Sequence, residues 1–240
     1  SIVKNGFLST NEKDRLGIGH EDVANGNIQE TRHNMNVPIN PGGTVHDYVP
    51  FYFCTRNPML LSLVLSKNID QMFMIFFAVP IDKILDPNVI FTDKAANTSI
   101  PPNFYTNPND LDKLKWDVIT SPNWMPKTDT EKRQKMAETL VYKSMPITDV
   151  DSIVVWNEPI KKMVKKLFED NNIKCPNVIY EPFKMKNYFY FTKFKMGRAS
   201  DTFTTGPILL KNHLKNSIKK IQEKDNGIFR FESIKKLLEE

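Results

Sequence analysis

The sequence predicts an α+β protein built on a central, partly antiparallel sheet. Strand-length apolar and aromatic runs recur along the chain, among them HDYVPFYF at 46–53 and MFMIFFAV at 72–79. Helix-length segments fall between such runs in a mixed order rather than a regular alternation. Proline, at 16, outnumbers glycine, at 9, so irregular connections are expected in place of long uninterrupted helices.

Residues 1–8 read as the end of a helix closed by Gly6, glycine being a usual helix stop. Residues 22–36 carry apolar side chains at 23, 24, 28 and 35, a weak helical pattern, and PINPGG at 38–43 is a loop by composition. A strand is predicted over 45–53, then a helix over 58–66 with proline in its first turn. The continuous apolar run 72–79 reads as a strand buried on both faces, and 89–92 as a short one. Two loops rich in Asn, Thr and Pro follow, 92–109 and 120–130, flanking a helix over 110–119. Loops this long in a domain are more often functional than idle. A helix over 129–136 leads to strands at 138–142 and 153–156. The amphipathic helix 159–170 has Ile160, Met163, Val164, Leu167 and Phe168 at helical spacing. Strands at 177–180 and 187–191 complete the sheet. Beyond Phe194 the chain turns loop-like. Leu210, Leu214, Ile218 and Ile221 then mark an amphipathic helix, and a short helix starts at Ser233.

With 40% hydrophobic and 25% charged residues in 240, the chain can bury a sizeable core, and its composition is not that of a globally disordered protein. Cys54 and Cys175 stand in no CxxC and beside no ligand-spaced histidine, so both read as reduced, buried thiols of a cytosolic protein. The histidines at 20, 33, 46 and 213 show no metal-binding spacing, and no metal is expected. No run approaches the ~20 apolar residues of a membrane span. The sequence opens on SIVKNG with neither methionine nor leader, which reads as a trimmed or partial chain. Charge is uneven. Residues 184–240 hold 13 basic and 6 acidic side chains, net +7, and the remainder 20 and 22, net −2. A polyanion-binding surface has this distribution, and so does a solvated lysine-rich helix.

No glycine-rich phosphate loop, serine elbow or Cys/His nucleophile is present. Two side chains remain as candidates. Arg56 follows the aromatic strand 45–53 directly, either as a solvated arginine in a turn or as an anion clamp at a strand terminus. Glu138 opens the strand 138–142, either as an edge carboxylate in a surface ion pair or as a catalytic acid.

Four stretches, HDYVPFYFCTRNPML, VIFTDKAAN, LKWDVI and KRQKMAETLVYKSMPITDVDSIVV, together resemble the DarT family, DNA ADP-ribosyltransferase toxins of bacterial toxin–antitoxin systems. The resemblance spans about residues 1–191. It implies an ADP-ribosyltransferase fold with NAD in the cleft of a split, mostly antiparallel sheet. It further implies a cytoplasmic enzyme that transfers ADP-ribose from NAD to a base of single-stranded DNA, thymine or guanine by subfamily, with thymine favoured here. The expected partner is a macrodomain antitoxin that removes the modification. The family's arginine matches Arg56 and its catalytic glutamate Glu138. A carboxylate against the ribose would stabilise oxocarbenium-like charge and take the proton of the base, and a planar guanidinium would clamp the NAD phosphates. The stretch NGFLSTNEKDR resembles the family's NAD-side loop, which nominates Asn5, Leu8, Ser9, Asn11 and Arg15 for cofactor contacts. Arg15 and Arg32 read equally as phosphate ligands or ordinary surface charge. The acceptor-recognition loop maps to about 121–134, where Trp124, Lys127, Lys132, Arg133 and Lys135 offer a stacking platform and a basic track for DNA. Tyr48, Phe51 and Tyr52 read as core, and Asn97 and Thr98 as candidates to line the cleft.

The chain departs from the family in three places. The family's His-x-Thr-like element precedes the point where this sequence starts, Thr55 replaces a usual proline, and 197–240 matches nothing in the family. The expected organisation is therefore a catalytic domain over 1–196 and a basic helical extension over 197–240. Two other functions fit the same residues: the same fold acting on RNA or protein, and a non-enzymatic nucleic-acid-binding module.

Overall fold

The computed structural model describes residues 1–19, 26–66, 69–98, 100–180 and 188–189. Its strands are β1 (Phe7–Leu8), β2 (Tyr48–Tyr52), β3 (Ile75–Ala78), β4 (Val89–Thr92), β5 (Phe104–Tyr105), β6 (Glu138–Tyr142), β7 (Ser144–Met145), β8 (Ser152–Val155) and β9 (Asn177–Ile179). Its α-helices are α1 (Ile2–Asn5), α2 (Thr10–Arg15), α3 (Gly26–Asn34), α4 (Pro58–Leu65), α5 (Trp116–Ile119), α6 (Asp129–Gln134) and α7 (Glu158–Asp170). The chain divides into two compact units, one of residues 5–61 and 79–151, the other of 1–4, 62–78 and 152–240.

The first unit is built on an antiparallel sheet of order β2-β6-β4-β5, with β1 and β7 paired beside it. Side chains alternate across a sheet, so each strand feeds two cores. Ile90 and Leu140 join Met35, Val37, Val45, Tyr48 and Ala96 in one core. Phe91 and Ala137 join Leu114 and Ile119 in another. Tyr52 faces Glu138 across the β2–β6 ladder, as Pro50 faces Leu140. Cross-strand partners share a face, so Glu138 belongs to the row of Leu140 and Tyr48.

Where helix and strand limits differ from expectation, local hydrogen bonding gives the reason. The strand expected over 45–53 starts at Tyr48, because the Asp47 carboxylate accepts from the Thr44 N–H at 2.8 Å and turns 45–47 into a 3-10 helix. That turn needs Gly43, at φ +80, since a Cβ there would lie 2.5 Å from the Asp47 carboxylate. The helix expected over 110–119 splits into a 3-10 helix, Pro108–Lys113, and α5. The sequence reading missed α2, whose N-cap is Ser9.

The second unit holds a sheet of order β3-β8-β9, in which β3 is antiparallel and β9 parallel to β8. Each unit thus has its own sheet, and among the described residues only the β8–β9 pair is parallel. This is the split, mostly antiparallel arrangement expected. One expectation is corrected. β3 is not buried on both faces, for all four of its residues are half-exposed, and among the described residues it pairs only with β8. Ile160, Val164 and Phe168 of α7 are buried at i, i+4 and i+8, and the Asn157 side chain caps the helix by accepting from the Ile160 N–H at 2.8 Å. Phe189, fully buried, packs edge-on against Trp156 and Phe76. Of the strand expected over 187–191, only residues 188 and 189 are described, and neither lies in a strand. The helices expected around 210–221 and from 233, and the whole extension 197–240, lie outside the described residues.

Candidate active site

Glu138 is the first residue of β6 and is completely buried. Its strand position is held from one side by Thr92, whose hydroxyl donates to the Glu138 carbonyl at 3.3 Å. The edge reading, a carboxylate in a surface ion pair, is therefore set aside. A buried carboxylate is costly without compensation. Here the compensation comes from two elements. Arg32, near the end of α3, donates through Nη1 to Oε1 at 3.0 Å and to Oε2 at 3.3 Å, and through Nη2 to Oε2 at 3.4 Å. The Ala96 N–H donates to Oε1 at 2.9 Å. The Ala96 carbonyl in turn accepts from Arg32 Nη1 at 3.3 Å, so the backbone of one residue touches both members of the pair.

The Arg32 side chain keeps 11% of its surface exposed and Glu138 keeps none. Burial works against the Arg32 charge, but the facing Glu138 carboxylate outweighs it and holds the guanidinium above its ordinary range. Tyr52, opposite Glu138 in the ladder, lies in the same field. Burial, followed by the Glu138 charge, pushes its phenol well up, so it stays a neutral donor. Beside Ala96, the Asn97 Oδ1 atom is buried and meets no hydrogen-bond donor among the described residues. An arginine–carboxylate pair with strong burial, a neighbouring phenol and an unanswered amide oxygen can hold a polyhydroxylated, developing cation.

Arg56 sits in the turn between β2 and α4, and the guanidinium paired with Glu138 belongs to Arg32 instead. Arg56 lies over the Trp124 ring, 5.5 Å from its centroid. The structure thus joins two predicted site residues from distant stretches, Arg56 and Trp124. Lys127 is exposed. Lys132 is paired with Asp129 at 2.8 Å, and Arg133 donates through Nη2 to the Ile100 carbonyl. Lys135 is a correction. It was expected on a DNA-facing basic track, yet it is fully buried, with its ammonium inside the fold. A chain that leaves α6 and enters a central strand within three residues carries its side chains inward.

The N-terminal candidates build local scaffold. Ser9, buried, accepts from the Glu12 N–H at 3.2 Å, and Leu8 pairs with Ser144. The exposed Arg15 pairs with Glu12, and Asn5 is exposed. Asn11 donates to Asp47 Oδ1 at 2.7 Å. Burial disfavours the Asp47 carboxylate, but the Asn11 amide and the Thr44 donors prevail and hold it below the usual range. No cluster of His, Cys, Asp or Glu among the described residues could hold a metal, and none of their helices is long and apolar enough to cross a membrane.

The sequence reading had left Arg32 between two roles and had not singled out Ala96. Nothing local marks either one, since Arg32 and Glu138 stand 106 positions apart.

Residues 1–190 match the family described as ssDNA thymidine ADP-ribosyltransferase, DarT. A DNA ADP-ribosyl transferase of Thermus sp. strain 2.9 is 32% identical over 153 residues, covering 61% of this chain and 72% of that protein. The fold is similar to Thermus sp. 2.9 DarT in complex with ADP-ribosylated ssDNA, with a TM-score of 0.67, 27% identity, and coverage of 79% of this chain and 90% of that one. The same protein in complex with NAD+ gives a TM-score of 0.63 at 25% identity, with coverage of 79% and 90%.

Proposed function

The chain belongs to the DarT family of NAD-dependent DNA ADP-ribosyltransferases, and we propose that it transfers ADP-ribose from NAD to thymine in single-stranded DNA at the Arg32–Glu138 pair. The observation that carries this reading is the buried carboxylate at the head of β6, held by Arg32 and the Ala96 N–H.

The reaction breaks the bond between nicotinamide N1 and the ribose anomeric carbon. The bonding electrons leave with nicotinamide, which departs neutral, and the ribose becomes oxocarbenium-like. Glu138 stabilises that charge, and Arg32 holds the carboxylate fixed in direction. In thymidine the only ring N–H is at N3. Its nitrogen forms the new bond to the anomeric carbon, and its proton passes to the Glu138 carboxylate. Oε1 already accepts two short hydrogen bonds, while Oε2 accepts only the longer contacts at 3.3 and 3.4 Å, so Oε2 is the oxygen with capacity for substrate. Tyr52 faces Glu138 across the β2–β6 ladder.

Arg56 clamps the NAD phosphates from the end of β2, with Asn5, Leu8, Ser9 and Arg15 framing the NAD side. Trp124 offers a stacking face for an unpaired base, and Lys127, Lys132 and Arg133 supply positive charge for the DNA backbone. Residues 1–196 form the catalytic domain, followed by the basic 197–240 segment. The protein acts in the cytoplasm as a toxin, countered by a macrodomain antitoxin that removes ADP-ribose.

The test is mass spectrometry of short single-stranded oligonucleotides incubated with NAD and the protein, one lacking thymine and one lacking guanine. One added ADP-ribose only where thymine is present is the expected result. Addition only where guanine is present reassigns the base, and addition to neither overturns the reading.

A further inference from the structure

Lys135 is the one buried ammonium among the described residues, and the chemistry above does not use it. Its Nζ donates to the carbonyls of Val118 at 3.1 Å, Ile119 at 3.2 Å and Ser121 at 2.8 Å. An ammonium has three protons, and each meets one carbonyl. The first two carbonyls are at the C-terminus of α5, where a helix end carries partial negative charge. The third begins the loop that carries Trp124. Lys135 itself caps α6 and stands three residues before Glu138. One side chain therefore closes the base of the loop, joining Ser121 to Lys135, fourteen positions on, and fastening both to the entry of β6. The far part of the loop is shaped separately, by the Thr128–Glu131 capping box of α6 and by Arg56 against Trp124. Burial pushes the Lys135 amine down and Arg56 adds to this, while the Cys54 thiol beside it acts the other way.

We propose that Lys135 is a positioning residue for the DNA acceptor: its buried ammonium holds the Trp124 loop in register with Glu138. The inference rests on the DarT reading of that loop as the acceptor surface. It predicts an effect centred on DNA: Arg32 and the Ala96 backbone hold Glu138 without help from Lys135, and Arg56 is carried by the turn between β2 and α4 rather than by the loop.

The experiment compares Lys135→Met and Lys135→Gln with the unmodified chain, measuring KM for a thymine-containing oligonucleotide and, at saturating oligonucleotide, KM for NAD. In Lys135→Met, KM for DNA rises roughly 10- to 100-fold, the scale on which a small misplacement of reacting groups acts. KM for NAD stays within about twofold on the same reasoning. Lys135→Gln, which retains two donors, falls between. Two results overturn the proposal: both KM values rising together, or both staying constant while kcat falls, as from a smaller folded fraction. If neither variant folds, amide hydrogen exchange on the unmodified chain decides. Thr120 and Ser121 amides then exchange as slowly as those of β6, and exchange orders of magnitude faster overturns the proposal. An unmodified chain that leaves every oligonucleotide unchanged overturns the DarT reading as well. An active one with the wrong KM pattern removes only the role of Lys135.

Discussion

Arg32→Met removes the cation facing the only buried carboxylate among the described residues. Breaking a buried ion pair by deleting one partner costs about 3–5 kcal/mol, since the survivor stays buried and uncompensated. The lower end applies here, because the Arg32 side chain keeps 11% of its surface in solvent and the Ala96 N–H still donates to Glu138 at 2.9 Å. A loss of about 3 kcal/mol corresponds to a fall in Tm of roughly 6–12 °C for a chain of this size. Glu138→Gln should cost a similar amount, now by stranding the guanidinium. The double variant removes both charges, so it should be more stable than the sum of the singles implies by about 2–3 kcal/mol. Urea unfolding of all four proteins at pH 7, followed by circular dichroism, gives the cycle. Single variants losing less than about 1 kcal/mol, or a double variant equal to the sum of the singles, would refute the argument that burial makes this pair interdependent. Transfer to DNA should be lost in every variant, and measuring it well below each Tm separates chemistry from folding.

Two further outcomes are expected. Arg56→Ala should raise KM for NAD about tenfold or more, because the planar fork proposed to clamp the phosphates is lost. Arg56→Lys should recover little of this, lacking the planar fork, and an unchanged KM for NAD with a raised KM for DNA would place Arg56 with the acceptor loop instead. Tyr48→Phe should flatten the alkaline loss of stability. Burial, with Tyr142 and Asp47, raises the Tyr48 phenol from 10.0 to about 12, so the folded protein keeps this proton between those values while the unfolded chain releases it. The associated stability is full below the lower value and gone above the higher. Urea midpoints from pH 9 to 12 measure it, and an unchanged slope in the variant would sink the assignment. At neutral pH the variant should lose about 1 kcal/mol with the bond that the Tyr48 hydroxyl donates to the Gly42 carbonyl.

Glu138 was legible as a candidate because a charged residue at the mouth of an apolar run breaks the pattern around it. Arg56 was legible for the same reason. Lys135 misled, because KRQK reads as a solvated basic run, and the three carbonyls that absorb its charge lie on a segment fourteen or more positions earlier. Strand limits were off where a side chain competes with the backbone, as Asp47 does at the start of β2.

Most of the elements, their types and the family follow from the order of residues, since periodicity, turn chemistry and motifs are local and survive without the fold. The site does not. Glu138 acquires its partner from α3, 106 positions away, and a backbone donor from Ala96, 42 positions away. Such pairings arise only when distant segments are brought to one face of one sheet. Whether a charged side chain ends buried and answered or solvated is then decided by what packs against it, which no local pattern records.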